Sequence, residues 1–167
     1  MKKLIITLVF ITFTAISMSS QTKFDLPENI VLKTESDYAK YENDIISAAQ
    51  WLEENDLDKD IEKRKRVDVF IIQWVSGTPN VTVEMNESLI KLYDENSELL
   101  VLYMASYSKH LLENKNDDKK SAIKTGLISM INVYKKGIAI SKSKEMEKAI
   151  KAFDQNKLDE YIGKNFP

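Results

Sequence analysis

The most constraining feature of the sequence is a dense apolar segment, residues 67–75, which is followed almost at once by Gly77 and Pro79. Its β-branched and aromatic side chains would suit either a buried strand or a helix. At 100° per residue, however, most of its apolar side chains fall on one continuous arc: Val67, Phe70, Ile71, Trp74 and Val75. Because the preceding residues 61–66 are good helix formers, we predict one helix that runs from about residue 61 to the Gly77 region.

Two further apolar residues of this segment, Val69 and Ile72, lie outside the main arc. A helix that is apolar on more than one side is usually packed on more than one side, so we predict that this helix is the central one. Gly77 can adopt the left-handed conformation that ends many helices, and Pro79 cannot continue a helix. The chain is therefore expected to turn there.

The first residues have the pattern of a secretory signal peptide. Lys2 and Lys3 precede an apolar run over residues 4–16, and small residues follow it. We predict that residues 1–20 form a cleaved signal peptide, with the cut near Ser20. The run is too short for a comfortable membrane span, and no later segment approaches the required length, so no stable span is expected after cleavage. The protein is then periplasmic or extracellular, and its Lys, Ile and Asn content is typical of a bacterial source.

The composition restricts how the protein is stabilised and what it binds. There is no cysteine, so an exported chain of this kind depends on core packing instead of disulfides. Loss of the two signal-peptide lysines would change the formal net charge from −2 to about −4. Positive residues are scattered among acids, so we set nucleic acid aside as a partner. The one basic run, residues 63–66, is interpreted as a solvated helix face with local ion pairs.

Helical spacing of apolar residues recurs along the rest of the chain. It predicts helices over about residues 35–54, 87–94, 97–113 and 118–140, and two short helices near the C-terminus. Gly126, within the helix predicted over residues 118–140, is expected to allow a close approach by another helix. We therefore predict an all-α, single-domain bundle of about seven helices over residues 35–167. Residues 21–34 would precede it as an extended segment, and an irregular extended segment would lie near residues 80–85.

The turn after the predicted central helix is the best candidate for a binding site. A loop that directly follows a buried helix is held rigidly and can present polar groups to a partner, although the turn could also simply end the helix. The candidate interaction surface consists of Thr78, Pro79, Asn80, Thr82 and Glu84.

Residue sets for metal or nucleophilic chemistry are missing from the sequence. His110 is the only histidine and precedes Glu113 by three residues, but a carboxylate-bridged metal site would require a second such helix. The four glycines are isolated, so there is no phosphate-binding loop, and there is no Gly-x-Ser-x-Gly elbow. We predict no metal, no cofactor and no catalytic residues.

These observations favour binding over catalysis. We expect an interaction module or accessory protein of the bacterial envelope, with an envelope or secreted protein as its partner. One alternative is a small-molecule or lipid-binding protein with a pocket between helices. That pocket would be lined by residues such as Tyr103, Tyr107 and Tyr134. A second alternative is a carboxylate-dependent hydrolase that uses Glu84 together with Glu87 or Asp94.

Overall fold

A computed structural model describes residues 23–115 and 118–166, and these residues form eight helices and no β-strand. The helices are α1 (Glu35–Lys40), α2 (Glu42–Glu54), α3 (Ile61–Gly77), α4 (Glu87–Tyr93), α5 (Glu98–Asn114), α6 (Lys119–Lys136), α7 (Lys144–Asp154) and α8 (Leu158–Asn165). The predicted all-α class is confirmed. None of the helices in these ranges is long and apolar enough to cross a membrane. The predicted signal peptide, residues 1–20, lies outside the described residues.

The described residues contain one helix more than predicted, because the helix expected over about residues 35–54 is divided at Tyr41. Tyr41 has φ −99° and ψ 5°, and it closes α1 and opens α2. Its ring packs edge-on against Phe70, with the ring centroids 5.8 Å apart. Its hydroxyl accepts a hydrogen bond from the backbone N–H of Val31 at 3.3 Å. The interruption is thus accompanied by tertiary contacts that helical periodicity does not reveal.

The centre of the fold is α5, which packs against α2, α3, α4 and α6. It buries side chains on nearly every side, including two serines: Leu99, Val101, Leu102, Tyr103, Ala105, Ser106, Tyr107, Ser108 and Leu111. A Cβ atom on Gly126 of α6 would lie 2.6 Å from the ring of Tyr103, a distance that real Cβ contacts do not reach. The predicted close approach at Gly126 is therefore confirmed.

The prediction that α3 is the central helix is wrong. Its inner arc is buried as expected, and the Trp74 Nε1–H donates a hydrogen bond to the carbonyl of Tyr38 at 2.9 Å. Val69 and Ile72, however, are 53% and 42% exposed. The helix packs against α2 and α5 with its inner arc, and its second apolar side faces solvent.

Gly77 ends α3 for a different reason from the one predicted. It is the last residue of the helix, and Thr78 leaves the helix in an extended conformation with φ −68° and ψ 133°. A Cβ atom on Gly77 would clash with the ring and hydroxyl of Tyr38. Glycine is therefore required here to make room for an aromatic side chain, while Pro79 prevents the helix from continuing.

The basic run at the start of α3 is not a uniformly solvated face. Arg64 is only 5% exposed, and its guanidinium donates a hydrogen bond to the carbonyl of Asn55 at 2.8 Å. The carbonyls of Leu52 and Asp56 lie 3.4 Å from the same nitrogen. Arg64 thus donates to backbone carbonyls at and just beyond the end of α2, where carbonyl groups have no hydrogen-bond partner within the helix.

Lys63 is also partly buried. Its Nζ lies 4.7 Å from the ring centroid of Trp51 and donates a hydrogen bond to the carbonyl of Phe24. A cation above an aromatic face is attracted by the ring quadrupole, so this contact joins the N-terminal segment to α2 and α3. The other two basic residues, Lys65 and Arg66, are exposed as predicted.

The helix α6 ends earlier than predicted. It stops at Lys136 because Gly137 adopts the left-handed conformation, with φ 67°, and caps the helix. Residues 137–143 are not helical and separate α6 from α7. The Ser143 side chain caps α7, because its hydroxyl accepts a hydrogen bond from the backbone N–H of Met146 at 3.3 Å.

Two connecting segments of the described chain contain neither helix nor strand. Residues 23–34 lead into α1, and Phe24 within them is 3% exposed. Residues 81–86 lead into α4. The second of these segments carries part of the candidate interaction surface.

Candidate functional site

Residues 78–86 connect α3 to α4 and contain all five residues of the candidate interaction surface. The segment begins where Thr78 leaves α3 and ends where the side chain of Asn86 caps α4, accepting a hydrogen bond from the Leu89 N–H at 2.9 Å. Between them Val81 is 3% exposed and belongs to the hydrophobic core. The loop is therefore fixed at both ends and in the middle.

Side chains from distant parts of the chain hold the same loop. The Tyr103 hydroxyl donates to the carbonyl of Glu84 at 3.1 Å, the Asn86 amide donates to the carbonyl of Asn165 at 2.9 Å, and the Asn80 amide donates to the Glu42 carboxylate at 2.9 Å. Burial raises the pKa of Tyr103, and the neighbouring Tyr107 and Glu84 raise it further. The Tyr103 hydroxyl consequently keeps its proton and remains a donor.

The loop forms one wall of a groove that we call the Glu84 groove, with a volume of about 450 Å³. Its apolar lining comes from four side chains, Met85, Ile123, Ile162 and Phe166. Its polar lining comes from Glu84, Asn86, Lys119 and Lys120. The groove therefore combines an apolar floor from α6, α8 and the C-terminal Phe166 with charged groups at its edge.

A second groove, which we call the Asn80 groove, lies on the other side of Lys119 and has a volume of about 590 Å³. Pro79, Asn80 and Thr82 line one part of it, and residues of α5 and the α5–α6 connection line another. Lys119 contributes to both grooves. Different residues of the loop thus line two concave surfaces.

The structure distributes the five predicted residues between these two grooves. Pro79, Asn80 and Thr82 line the Asn80 groove, and Glu84 lines the Glu84 groove. Thr78 is half-buried and acts within the turn, where its Oγ1 accepts a hydrogen bond from the Asn80 N–H at 3.3 Å. Thr78 therefore shapes the loop rather than lining either groove.

Glu84 is held in an ion pair. Its Oε1 lies 2.8 Å from the Nζ of Lys119, and both side chains are nearly half exposed. Exposed pairs of this kind contribute little to stability, so the pair mainly orients two charges at the groove edge. Among the described residues that line the Glu84 groove, Glu84 is the only acid, whereas glycoside hydrolysis uses two carboxylates. The predicted companion Glu87 pairs instead with Lys91 on α4, at 2.7 Å.

The tyrosines proposed as a pocket lining belong to the core. Tyr103 and Tyr107 are both fully buried, and their ring centroids lie 5.8 Å apart. The hydroxyl of the half-buried Tyr134 accepts a hydrogen bond from the Ser143 N–H at 2.8 Å. These rings fill space between helices, so the apolar groove lies elsewhere.

His110 is half-buried, and its Nδ1 lies 3.1 Å from the hydroxyl of Thr125 on α6. Within residues 23–115 and 118–166, no group of three or more histidine, aspartate and glutamate side chains converges in a way that could hold a metal ion. The contact between His110 and Thr125 therefore connects α5 with α6.

Sequence reasoning missed the far wall of the Glu84 groove. Helical spacing places Ile123 and Ile162 on inward helix faces, and nothing in the local sequence connects Phe166 with residue 84. The sequence does locate the two lysines of the groove, Lys119 and Lys120, because they follow a recognisable helix cap. The side chain of Asp118 caps α6 by accepting a hydrogen bond from the Ser121 N–H at 3.0 Å. That cap fixes where the two lysines emerge, but the loop they meet is set by tertiary structure.

Comparison with known proteins gives no relative from which a function could be transferred: no protein-family model, curated protein or solved structure matches this chain.

Proposed function

We propose that this chain is an exported accessory protein of the bacterial envelope that acts by binding a partner protein through residues 78–86. The observation that carries the proposal is that this loop is held rigidly while part of it stays exposed. It is fixed through Thr78, Val81 and Asn86, yet Asn80 and Thr82 remain exposed beside a groove. A rigid loop loses little conformational freedom on binding, which favours association.

The Glu84 groove indicates what the partner would present. Its floor contains Ile123, Ile162 and Phe166, and Met85 is 48% exposed at its edge. An apolar side chain inserted here would remove apolar surface from water. Lys120 is exposed beside it, so a partner with a carboxylate next to the inserted side chain would match the groove in both shape and charge.

The first test is native mass spectrometry of the protein isolated gently from its host envelope, compared with two charge-reversal variants. We expect a complex with a second polypeptide. Lys120→Glu should weaken that complex by at least about tenfold, because it places a negative charge beside the groove where the partner's carboxylate would lie, and like charges repel. Lys144→Glu, in the exposed first turn of α7, is the matched control and should leave the complex intact.

Two results would contradict the proposal. A bare chain under gentle isolation would count against a protein partner, and equal loss in both variants would show that the effect is one of net charge and not of the loop.

The Glu84 groove also supports a second candidate function, binding of a small apolar ligand or lipid. Its volume of about 450 Å³ falls within the range of small-molecule sites, about 300–1,000 Å³, and its lining is mostly apolar. The same mass spectrum separates the two functions, because a small ligand adds a small mass to the single chain while a partner protein adds a second polypeptide.

A further inference from the structure

A second surface, away from residues 78–86, gathers most of the exposed apolar side chains. In the part of the chain that the structure describes, six large apolar side chains are exposed. Four of them belong to α3 and the N-terminal segment next to it: Val31, Ile61, Val69 and Ile72, which are 42–53% exposed. We call these four residues the α3 stripe. The remaining two, Met85 and Ile90, belong to the loop before α4 and to α4 itself.

The α3 stripe occupies one side of the helix, and Lys65 and the half-buried Asp68 lie between its members. At 100° per residue, Ile61, Val69 and Ile72 fall within about 80° of one another. With a rise of about 1.5 Å per residue, they extend over about 16 Å of the helix. Val31 lines the same groove as Ile72, so the N-terminal segment broadens the stripe at its C-terminal end. The result is a row of protruding aliphatic side chains.

Cationic residues accompany this row. Lys65 lies on the same arc as the stripe, and Arg66 and Lys33 line the two grooves that run beside it. Among the described residues, Glu62 is the only acid that lines these grooves, and its carboxylate lies 2.9 Å from the Lys65 Nζ. The half-buried Asp68 is a second acid beside the stripe, so three cations accompany two acids. The stripe therefore presents apolar groups together with an excess of positive charge.

This charge distribution argues against a second copy of the chain as the occupant. In a symmetric antiparallel pair of α3 helices, the two-fold axis would pass near the middle of the stripe, between Ile61 and Ile72. Lys65 of each copy would then face Asp68 of the other, but each copy still carries more cations than acids along this surface, and two such surfaces repel. Charge complementarity therefore favours an occupant that carries negative charge.

We propose that the α3 stripe is a peripheral membrane-binding surface for bilayers that contain anionic lipid. Short aliphatic side chains enter the boundary between headgroups and acyl chains, while Lys65, Arg66 and Lys33 contact phosphate groups beside them. Lysine and arginine suit this position because their long stems can follow the apolar surface while the charges stay among the headgroups. Because fluid lipid adapts to a protruding row, it fits this surface better than a shaped protein partner does.

The absence of cysteine from the sequence permits a site-specific test. Single variants Val69→Cys and Ile90→Cys are labelled with an environment-sensitive fluorophore and mixed with vesicles made of equal parts phosphatidylcholine and phosphatidylglycerol. Ile90 is the matched control, because it is 46% exposed on α4, outside the stripe. We expect a blue shift and an intensity increase at position 69 and little change at position 90.

The charge requirement is tested on the same labelled protein. Arg66→Gln should lower the vesicle partition coefficient about fivefold, because one basic residue near an anionic membrane contributes about 1 kcal/mol. Added salt should weaken the response, and vesicles of phosphatidylcholine alone should give much less of it.

No spectral change at position 69, or an equal change at positions 69 and 90, would overturn the membrane proposal and favour an acidic protein segment as the occupant. An equal response to neutral and anionic vesicles would overturn it as well. These outcomes do not depend on the loop formed by residues 78–86, so the proposed partner-binding function stands or fails separately.

Discussion

The helices α3 and α5 have the same length, 17 residues, and opposite positions in the fold. Residues 67–75 make α3 densely apolar over part of its length, but the helix buries five side chains and leaves Val69 and Ile72 in solvent. By contrast, α5 buries nine, including Ser106 and Ser108. This difference indicates that small side chains help to identify the central helix. They leave room for neighbouring helices to pack against every side of it, because close packing is limited by side-chain volume.

The largest expected effect on stability comes from shortening an apolar side chain on each of the two helices. Leu102 on α5 is 1% exposed, so Leu102→Ala should lower the free energy of unfolding by about 2–5 kcal/mol through lost burial and a residual cavity. Val69→Ala on α3 should change it by less than about 0.5 kcal/mol, as expected for a surface position. Urea unfolding measures both values. Similar losses at the two sites would show that Val69 is covered in solution.

A smaller effect is expected where α5 meets α6. Gly126→Ala should destabilise the fold by about 1–3 kcal/mol, because the added methyl group meets the ring of Tyr103 at 2.6 Å and its backbone oxygen at 3.1 Å. Gly163 on α8 is the control, because a Cβ atom there has nothing within 4 Å. Gly163→Ala should therefore stabilise the protein by about 0.5–1 kcal/mol through helix propensity.

Thermal or urea unfolding of the two glycine variants gives a direct comparison. A stabilising Gly126→Ala would show that α5 and α6 can separate enough to accept a methyl group. Glycine would then not be required at position 126 for the packing of these helices.

The smallest of the three effects concerns Asp68, which is half-buried on α3. Burial raises the pKa of Asp68 from 3.8 to about 6, against the attraction of Arg64 and with added repulsion from Glu98. Because the folded-state pKa lies above the unfolded value, the folded state binds more protons between the two values. Stability therefore falls as pH rises through that window and is level above it.

Asp68→Asn removes this titration. The variant should be more stable than the wild type by about 1–2 kcal/mol at neutral pH, after allowance for solvent screening, and the difference should vanish in acid. Urea midpoints of both proteins across the pH range test this. A difference that grows towards acid would mean that the carboxylate is stabilised in the folded state.

Much of the helical framework could be predicted from local patterns, because local groups determine it. Asn86 caps α4 and Asp118 caps α6, and both positions can be recognised in the sequence. The early stop of α6 was also visible, since Gly137 is a natural left-handed cap, but the apolar residues beyond it suggested continuation. Local chemistry thus predicts where helices begin better than where they end.

The burial of Arg64 could have been predicted from spacing. It precedes Val67 by three residues and Ile71 by seven, so it lies on the buried arc of α3 despite its charge. The exposure of Val69 could not be predicted, because periodicity shows which side of a helix is apolar but not whether a second layer covers it. The walls of the Glu84 groove could not be predicted either, since they depend on the position of α8.

The hydrogen bond from Asn86 to Asn165 joins residues that are 79 positions apart and places α8 beside the loop. Two of the apolar side chains that line the groove, Ile162 and Phe166, come from α8 and the residue that follows it. During synthesis, these residues emerge long after residues 78–86 have left the ribosome. A partner that binds this groove would therefore engage only molecules in which α8 has already docked against the loop.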